Sequence, residues 1–202
     1  MTILISGDTE ASGDCPGMGD LAMFGLVVIE PGLSRRFGSG LMRAECERFR
    51  PSSYMFGVTR EQHVNADVTI SERIHAMHAW LQTLGSSNGR FVLVTDNPGF
   101  DFGWLNYECH MKLGHNPFGH SARRIGDVYA GLRGRPRDTS GWKRYRVSPH
   151  DHDPVNDALG NAEAWLTMWS KHGTSKEALL AGVPKAQGHP FEKETGRTGH
   201  EA

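Results

Sequence analysis

Short runs of apolar residues, each bounded by turn residues, predict buried strands along the chain. The runs are too short for helices and rich in branched side chains, which is typical of strands in the interior of a sheet. The pair Pro31-Gly32 ends the second run. The predicted strands cover residues 3–5, 21–29, 37–42, 90–95 and 123–128.

Apolar residues at helical spacing predict the helices. In the first helix Ser71 is a candidate N-cap and Gly85 marks the end. In the last helix Trp165 and Trp169 share the apolar face, so we expect both indoles in the core. The predicted helices cover residues 69–84, 100–113 and 157–171, with a helical turn at 128–132.

The order of these elements is β-β-β-α-β-α-β-α, which indicates an α/β fold with a mixed sheet. Residues 43–65 show no periodicity, and no element is predicted there. We expect one domain over residues 1–172. The segment 173–202 has few large apolar side chains and is predicted to be a loosely ordered polar tail.

Composition narrows the class of protein. The 202 residues carry 22 Lys and Arg against 23 Asp and Glu. This balance excludes a strongly basic protein that coats nucleic acid through its net charge alone. Basic side chains are nevertheless concentrated in residues 133–146. The three cysteines are far apart, which argues against a disulfide framework and fits a reducing, cytoplasmic location. No signal peptide is recognisable, and no apolar run is long enough to predict a membrane span.

Two acids, Asp8 and Glu10, follow the first apolar run in the pattern D-x-E. In an extended chain their side chains point to the same side. Two carboxylates held together repel each other unless they share a cation, and hard oxygen ligands suit magnesium or manganese. Two solvated acids at the end of a strand are the simpler alternative, and this pair alone does not decide between them.

A third acid, Asp101, follows the fourth predicted strand and falls in the first turn of the next helix. An acid there also complements the helix dipole, so a capping role is an equal alternative. Asp96 in the same loop is a competing candidate.

Histidine and aspartate alternate in residues 150–153, just before the last helix. His152 is placed to reach whatever Asp157 holds, and imidazole is suited to proton transfer near neutral pH. The alternatives are a polar loop or a zinc site on His150 and His152 with His115 or His120.

Together these motifs resemble the DEDDh family of 3′→5′ exonucleases, which includes RNase T, oligoribonuclease and proofreading exonucleases. The family pattern is D-x-E, then N-x-x-(F/Y)-D, then H-x-x-x-x-D. The chain reads Asp8-Thr9-Glu10, Asn97 to Asp101, and His152 to Asp157, in family order. Residues 121–127 and the loop that follows look most like compact bacterial and phage exoribonuclease-like members.

The resemblance implies an RNase H-like fold, with a central mixed five-stranded sheet flanked by helices, and two Mg²⁺ or Mn²⁺ ions. Asp8, Glu10 and Asp157 would hold the ion that binds the attacking water. Asp8 would bridge to the second ion, which Asp101 would support, and His152 would take the proton. Two ions close together activate water and stabilise the leaving oxygen.

The implied reaction releases nucleoside 5′-monophosphates from 3′ ends of single strands, with RNA favoured over DNA. A homodimer is a further expectation from the resemblance.

Phosphates would contact the basic segment while an aromatic ring stacks on a base, although a solvated loop is an alternative. By position, residues after the D-x-E line the nucleotide pocket. The predicted substrate contacts are Ala11, Ser12, Met23, Phe24, Arg135, Arg137, Trp142, Lys143, Arg144 and Arg146.

Phe100 is expected in the core rather than in the pocket. A binding module of the same fold without turnover is the other alternative for function.

Overall fold

A computed structural model describes residues 2–47, 57–85 and 89–173. The predicted polar tail lies outside these residues except for Gly173, and the boundary at residue 172 stays a prediction. The strands are β1 Thr2–Ala11, β2 Leu21–Val28, β3 Arg36–Gly38, β4 Met42–Arg43, β5 Val68–Thr69, β6 Arg90–Thr95 and β7 Arg123–Arg124. The helices are α1 Arg60–Val64, α2 Ile70–Leu84, α3 Asp101–Leu113, α4 Ile125–Leu132 and α5 Pro154–His172, with a 3-10 helix at Gly141–Tyr145.

Five strands form the central sheet in the order β3-β2-β1-β6-β7. Strands β1, β2 and β3 pair antiparallel with one another, whereas β6 runs parallel to β1 and β7 parallel to β6. The predicted mixed five-stranded sheet is therefore confirmed. Strands β4 and β5 form a separate parallel pair.

Helices cover both faces of this sheet, which makes three layers. On one face α2 and α3 enclose a core that includes Ile5, Phe24 and Trp104. On the other face α4 and α5 enclose Trp165 and Trp169, as predicted from their helical spacing. Within the described residues, no helix has the length and apolar character that crossing a membrane requires.

Two predicted strands differ from the structure. The first strand is ten residues long rather than three, so Asp8 and Glu10 lie within it and not after it. Its extra length comes from antiparallel pairing with β2, which continues to Ala11. The third predicted strand is split: β3 ends at Gly38, and Met42 begins β4 in the smaller sheet.

The fifth predicted strand and several helix starts also differ, and α5 begins at Pro154 rather than at residue 157. Thr69, not Ser71, is the N-cap of α2, because Thr69 and Glu72 form a reciprocal capping box. The predicted strand 123–128 pairs with β6 only at its first two residues. From Ile125 the chain is helical, with Ile125 and Tyr129 buried one turn apart.

Candidate active site

The site begins where β1 loses one of its neighbours. Strand β6 pairs with β1 only from Thr2 to Ser6, whereas β2 continues to pair with β1 as far as Ala11. The outer half of β1 is therefore open on one side, and it carries Asp8 and Glu10. The register of the β1–β2 pair shifts just after Glu10, a bulge of the kind that redirects side chains beside functional sites.

Helix α5 reaches this open half of β1 by packing closely on Gly25 of β2. A Cβ atom at Gly25 would lie 2.3 Å from the backbone of Pro154. The helix starts there because Asp153 accepts hydrogen bonds from the N–H groups of Val155 and Asn156 and caps it. Asp157, one turn into the helix, is consequently fully buried against β1.

Three carboxylates converge as a result. One oxygen each of Asp8, Glu10 and Asp157 lies within 4.8 Å of the others. Burial first, and then the carboxylates of Asp157 and Asp101, raise the pKa of Glu10 to about 8. Burial followed by the same neighbouring charges also raises the pKa of Asp8 well above its ordinary value. Such mutual repulsion between oxygen ligands is the condition that a bound divalent cation relieves.

Asp101 stands beside this trio as the first residue of α3, and it is 4% exposed. One of its oxygens accepts from the backbone N–H and the hydroxyl of Thr9, at 3.1 and 3.0 Å. The other accepts from the Thr95 hydroxyl and from the N–H of Asn97. Burial raises the pKa of Asp101 to about 6, although these hydrogen bonds oppose the rise.

Asp96, the competing candidate in this loop, does not join the carboxylates. Its side chain forms an ion pair with Lys143 at 2.9 Å and is 31% exposed. Of the two candidates in this loop, Asp101 is the buried one.

Asp157 is held by three donors. Arg146 binds one oxygen at 2.7 Å, and Nδ1 of His150 lies 2.7 Å from the other. The backbone N–H of His152 donates to that second oxygen at 3.2 Å. No sequence pattern indicates the contact with His150, and the sequence predicts Arg146 on substrate rather than on a carboxylate.

His152 lies at the mouth of the site. Its backbone φ is 63°, a left-handed conformation that is uncommon for a residue with a side chain. Its Nδ1 is 3.4 Å from a carboxylate oxygen of Glu10. Burial first, and then the neighbouring His150, lower the pKa of His152 below its ordinary value of 6.5. A neutral imidazole beside the carboxylates is able to accept a proton from water.

The predicted pocket residues after the D-x-E fall into two groups. Phe24 is fully buried in the α2–α3 core and stacks on Phe37, so its ring has no surface for a nucleotide. Ala11 is likewise buried in that core, and the Ser12 hydroxyl is engaged by the backbone of Asp20. Met23 alone of the four is partly exposed, and it pairs with Glu10 across the β1–β2 ladder.

The basic segment is more structured than predicted. Trp142 is fully buried against α5, so the expected stacking of this indole on a base is wrong. Arg144 donates to the Tyr129 hydroxyl and to the Gly141 carbonyl, and it lies over two tyrosine rings. Lys143 binds Asp96 at the edge of the site.

Arg135 and Arg137 are exposed and border a cavity with Pro136 and Asp138. They belong to the loop after α4, which leaves that helix at Arg133, 3.5 Å from His172. The loop then returns to the start of α4, where a Cβ atom at Gly126 would lie 2.3 Å from the Thr139 carbonyl oxygen. The contact of these two arginines with substrate stays a prediction.

Phe100 packs against the α2–α3 core, as expected. The zinc alternative required His115 or His120 beside the other histidines. Neither takes part in the metal-ligand clusters found within residues 2–47, 57–85 and 89–173.

Comparison with known proteins decides the family. The chain is 30% identical over 174 residues to the 3′-5′ DNA exonuclease Cap18 of Escherichia coli, covering 80% of this chain and 88% of that protein. The chain belongs to the DEDDh family of 3′→5′ exonucleases. It is accordingly a 3′→5′ exonuclease of RNase H-like fold, and family membership implies divalent metal ions. No protein-family model matches the sequence.

Solved DEDDh structures share the fold. The nuclease domain of 3′hExo bound to rAMP superposes with a TM-score of 0.67 at 18% identity, over 84% of this chain and 92% of that one. Exonuclease I of E. coli in complex with a dA16 oligonucleotide gives a TM-score of 0.57 at 12% identity, over 90% of this chain and 43% of that one.

Proposed function

We propose that this DEDDh exonuclease removes nucleoside 5′-monophosphates from the 3′ ends of single strands with two divalent ions and a histidine base. The observation that carries the proposal is the convergence of Asp8, Glu10 and Asp157 within 4.8 Å, beside Asp101 and His152. Three elements far apart in sequence supply these side chains, and each bears its family motif.

The donor set fits Mg²⁺ or Mn²⁺. Asp8, Glu10 and Asp157 offer carboxylate oxygens of the hard type that these ions prefer. Burial and then the neighbouring carboxylates raise the pKa of Glu10, and a bound cation would favour its charged form. Asp8 would be shared between the ions, and Asp101 would support the second one. When bound, the ions would activate water and stabilise the charge on the departing oxygen.

The chain's own residues supply the remaining chemistry. His152 is partly exposed at the mouth and would accept the proton of the attacking water. Arg146 holds one oxygen of Asp157 and leaves the other directed toward the histidines. Thr9 and Thr95 fix the orientation of Asp101 through hydrogen bonds that do not involve its neighbouring acids.

For substrate binding we propose a smaller set of contacts than the sequence predicted. Met23, opposite Glu10, would contact the terminal nucleotide. Lys143 lies at the carboxyl end of β6 and would exchange Asp96 for a phosphate. Arg135 and Arg137, exposed on the loop after α4, would contact phosphates further along the strand. The homodimer remains a prediction, to be tested by light scattering.

Whether the enzyme prefers RNA or DNA is a matter for direct measurement. The sequence favours RNA, whereas the E. coli relative is named a DNA exonuclease. We therefore propose that DNA is hydrolysed as well as RNA. The predicted preference for RNA is tested by comparing kcat/KM for an RNA oligomer and a DNA oligomer of the same base sequence.

The experiment uses 5′-labelled RNA and DNA oligomers with Mg²⁺ or Mn²⁺, and chromatography of the released products. The proposal expects a ladder that shortens one nucleotide at a time from the 3′ end, with nucleoside 5′-monophosphates as products. Internal fragments, or binding without cleavage, would overturn it, and the second result would support a silent binding module.

A further inference from the structure

Two imidazoles and one carboxylate converge on the solvent side of the site. One ligand atom each of His150, His152 and Asp157 lies within 4.8 Å of the others, and the two imidazole rings are 4.4 Å apart. The His150 and His152 side chains are 56% and 30% exposed, whereas Asp157 is fully buried. An ion from solvent therefore has direct access to this cluster.

The donor atoms of this cluster differ from those of the catalytic carboxylates. Two imidazole nitrogens and one carboxylate oxygen are ligands typical of Zn²⁺. In open tetrahedral sites this ion is bound by three protein ligands and one water. Asp8, Glu10 and Asp157 offer only oxygen and suit Mg²⁺ or Mn²⁺. The two clusters share Asp157.

We propose that His150, His152 and Asp157 form a second cation site, which takes a borderline transition ion such as Zn²⁺ and thereby inhibits the exonuclease. This inhibition rests on the function proposed above. The ion would occupy an oxygen of Asp157 and the nitrogen lone pair of His152 that is needed as the base. Binding of Zn²⁺ and hydrolysis would therefore be mutually exclusive.

The hydrogen bond between His150 and Asp157 already joins two of the ligands. Nδ1 and the carboxylate oxygen are 2.7 Å apart. With bonds of about 2.0 Å to a tetrahedral ion they would stand roughly 3.3 Å apart, so a movement of about 0.6 Å admits the metal. The proton between them passes to solvent, and Arg146 remains on the other oxygen.

The first test measures binding without substrate. Metal-free protein is titrated with Co²⁺, whose visible absorption reports tetrahedral nitrogen ligation, and Zn²⁺ is then added to displace it. His150→Gln is expected to weaken Zn²⁺ binding at least tenfold. His120→Gln replaces an exposed histidine outside the cluster and is expected to bind as the wild type does. Equal affinities in wild type and His150→Gln would overturn the proposal.

The second test separates this site from the catalytic carboxylates. Asp8→Asn is expected to lose hydrolysis yet bind Zn²⁺ within threefold of wild type, because Asp8 is not in the cluster. A parallel loss of Zn²⁺ binding would place the ion among the carboxylates and overturn the proposal.

The third test measures inhibition. Hydrolysis by the wild type and by His150→Gln is measured with excess Mg²⁺ and rising Zn²⁺, and each rate is divided by the zinc-free rate of the same protein. The Zn²⁺ concentration that halves the rate should be at least tenfold higher for His150→Gln than for the wild type. An unchanged concentration would also overturn the proposal. Absence of any hydrolysis with Mg²⁺ or Mn²⁺ would refute the proposed function instead, while the Co²⁺ titration would still test the cation site.

Discussion

Thr9 donates two hydrogen bonds to one oxygen of Asp101, from its backbone N–H and from its hydroxyl. Thr9 is the residue between Asp8 and Glu10, and it is 3% exposed. Because side chains alternate along a strand, Thr9 points away from its two acidic neighbours and toward α3. The middle position of the D-x-E motif therefore connects the first and second acidic segments of the site.

Thr9→Val is expected to lower kcat about tenfold while the protein stays folded. Valine keeps the shape of threonine but removes its hydroxyl. The hydrogen bond from that hydroxyl is one of those that lower the pKa of Asp101 against the effect of burial. The protein should also need more Mn²⁺ for half-maximal activity. Activity assayed against Mn²⁺ concentration checks this, with Thr83→Val, at an exposed hydroxyl of α2, as the control. A Thr9→Val enzyme with unchanged Mn²⁺ dependence would show that this hydrogen bond has no role.

Gly25→Ala is expected to damage the site from a distance. The new methyl group would meet the Pro154 backbone at 2.3 Å and push the start of α5, with Asp157, away from β1. Overpacking of this kind costs about 1–3 kcal/mol. We expect a lower Tm and a loss of activity larger than the Tm alone explains.

Gly103→Ala is the matched control for Gly25→Ala. Gly103 lies within α3, and a Cβ atom there meets no atom within 4 Å. Alanine should stabilise that helix by up to about 1 kcal/mol. If both variants were equally active, close packing of α5 on β2 would not be what positions Asp157.

Metal-free protein is expected to lose stability as pH rises. The pKa of Glu10 is about 8 in the folded chain against an ordinary value of 4.5. Between these values the folded state binds more protons than the unfolded state, so the free energy of unfolding falls as pH increases. Calorimetry without metal should show Tm decreasing from pH 5 to pH 8, and Mn²⁺ should raise Tm more at pH 8.

The buried acid Glu108, which lies outside the carboxylate cluster, has to be separated from this effect. Burial raises the pKa of Glu108 to about 7, which gives the same sign. Glu108 lies seven residues along α3 from Asp101, outside the carboxylate cluster. Glu108→Gln should therefore flatten the pH dependence partly, whereas Glu10→Gln should also remove the effect of Mn²⁺. A Mn²⁺ effect on Tm that persists in Glu10→Gln would contradict the assignment.

His152→Ala is expected to reduce kcat/KM by about 10²–10⁴-fold and to change its pH profile. The pKa of His152 is lowered, so its neutral form persists below pH 6.5 and the acidic limb of the wild-type profile should fall below that value. The variant should lose this limb. The profile of His120→Ala should match the wild type, and a His152→Ala enzyme that keeps the limb would exclude His152 as the base.

The sequence predicted the five motif residues because three family motifs occur in order beside elements that apolar patterning reveals. It did not predict that β1 runs on past Ser6, since the pairing that extends it depends on β2. The N-cap of α2 was predictable from the sequence, since Thr69, unlike Ser71, has a glutamate three residues later.

Other features depend on tertiary contacts that no local pattern encodes. Trp142 lies among basic residues that resemble a nucleic-acid loop, yet the 3-10 helix turns its ring into the core. Arg146 reaches Asp157 because Gly160 leaves room for its guanidinium, 2.6 Å from where a Cβ would lie. Single-residue patterns could not distinguish either case from an exposed substrate contact.

The most direct test compares wild-type protein with Asp101→Asn and Asp127→Asn on a 5′-labelled single strand, with Mn²⁺ and with excess EDTA. Asp127 is an exposed acid in the first turn of α4, as Asp101 is a buried one in the first turn of α3. We predict a ladder from the 3′ end for wild type and Asp127→Asn with Mn²⁺, and none for Asp101→Asn or in EDTA. Undiminished cleavage in EDTA, or by folded Asp101→Asn, would contradict a metal-dependent site built on these carboxylates.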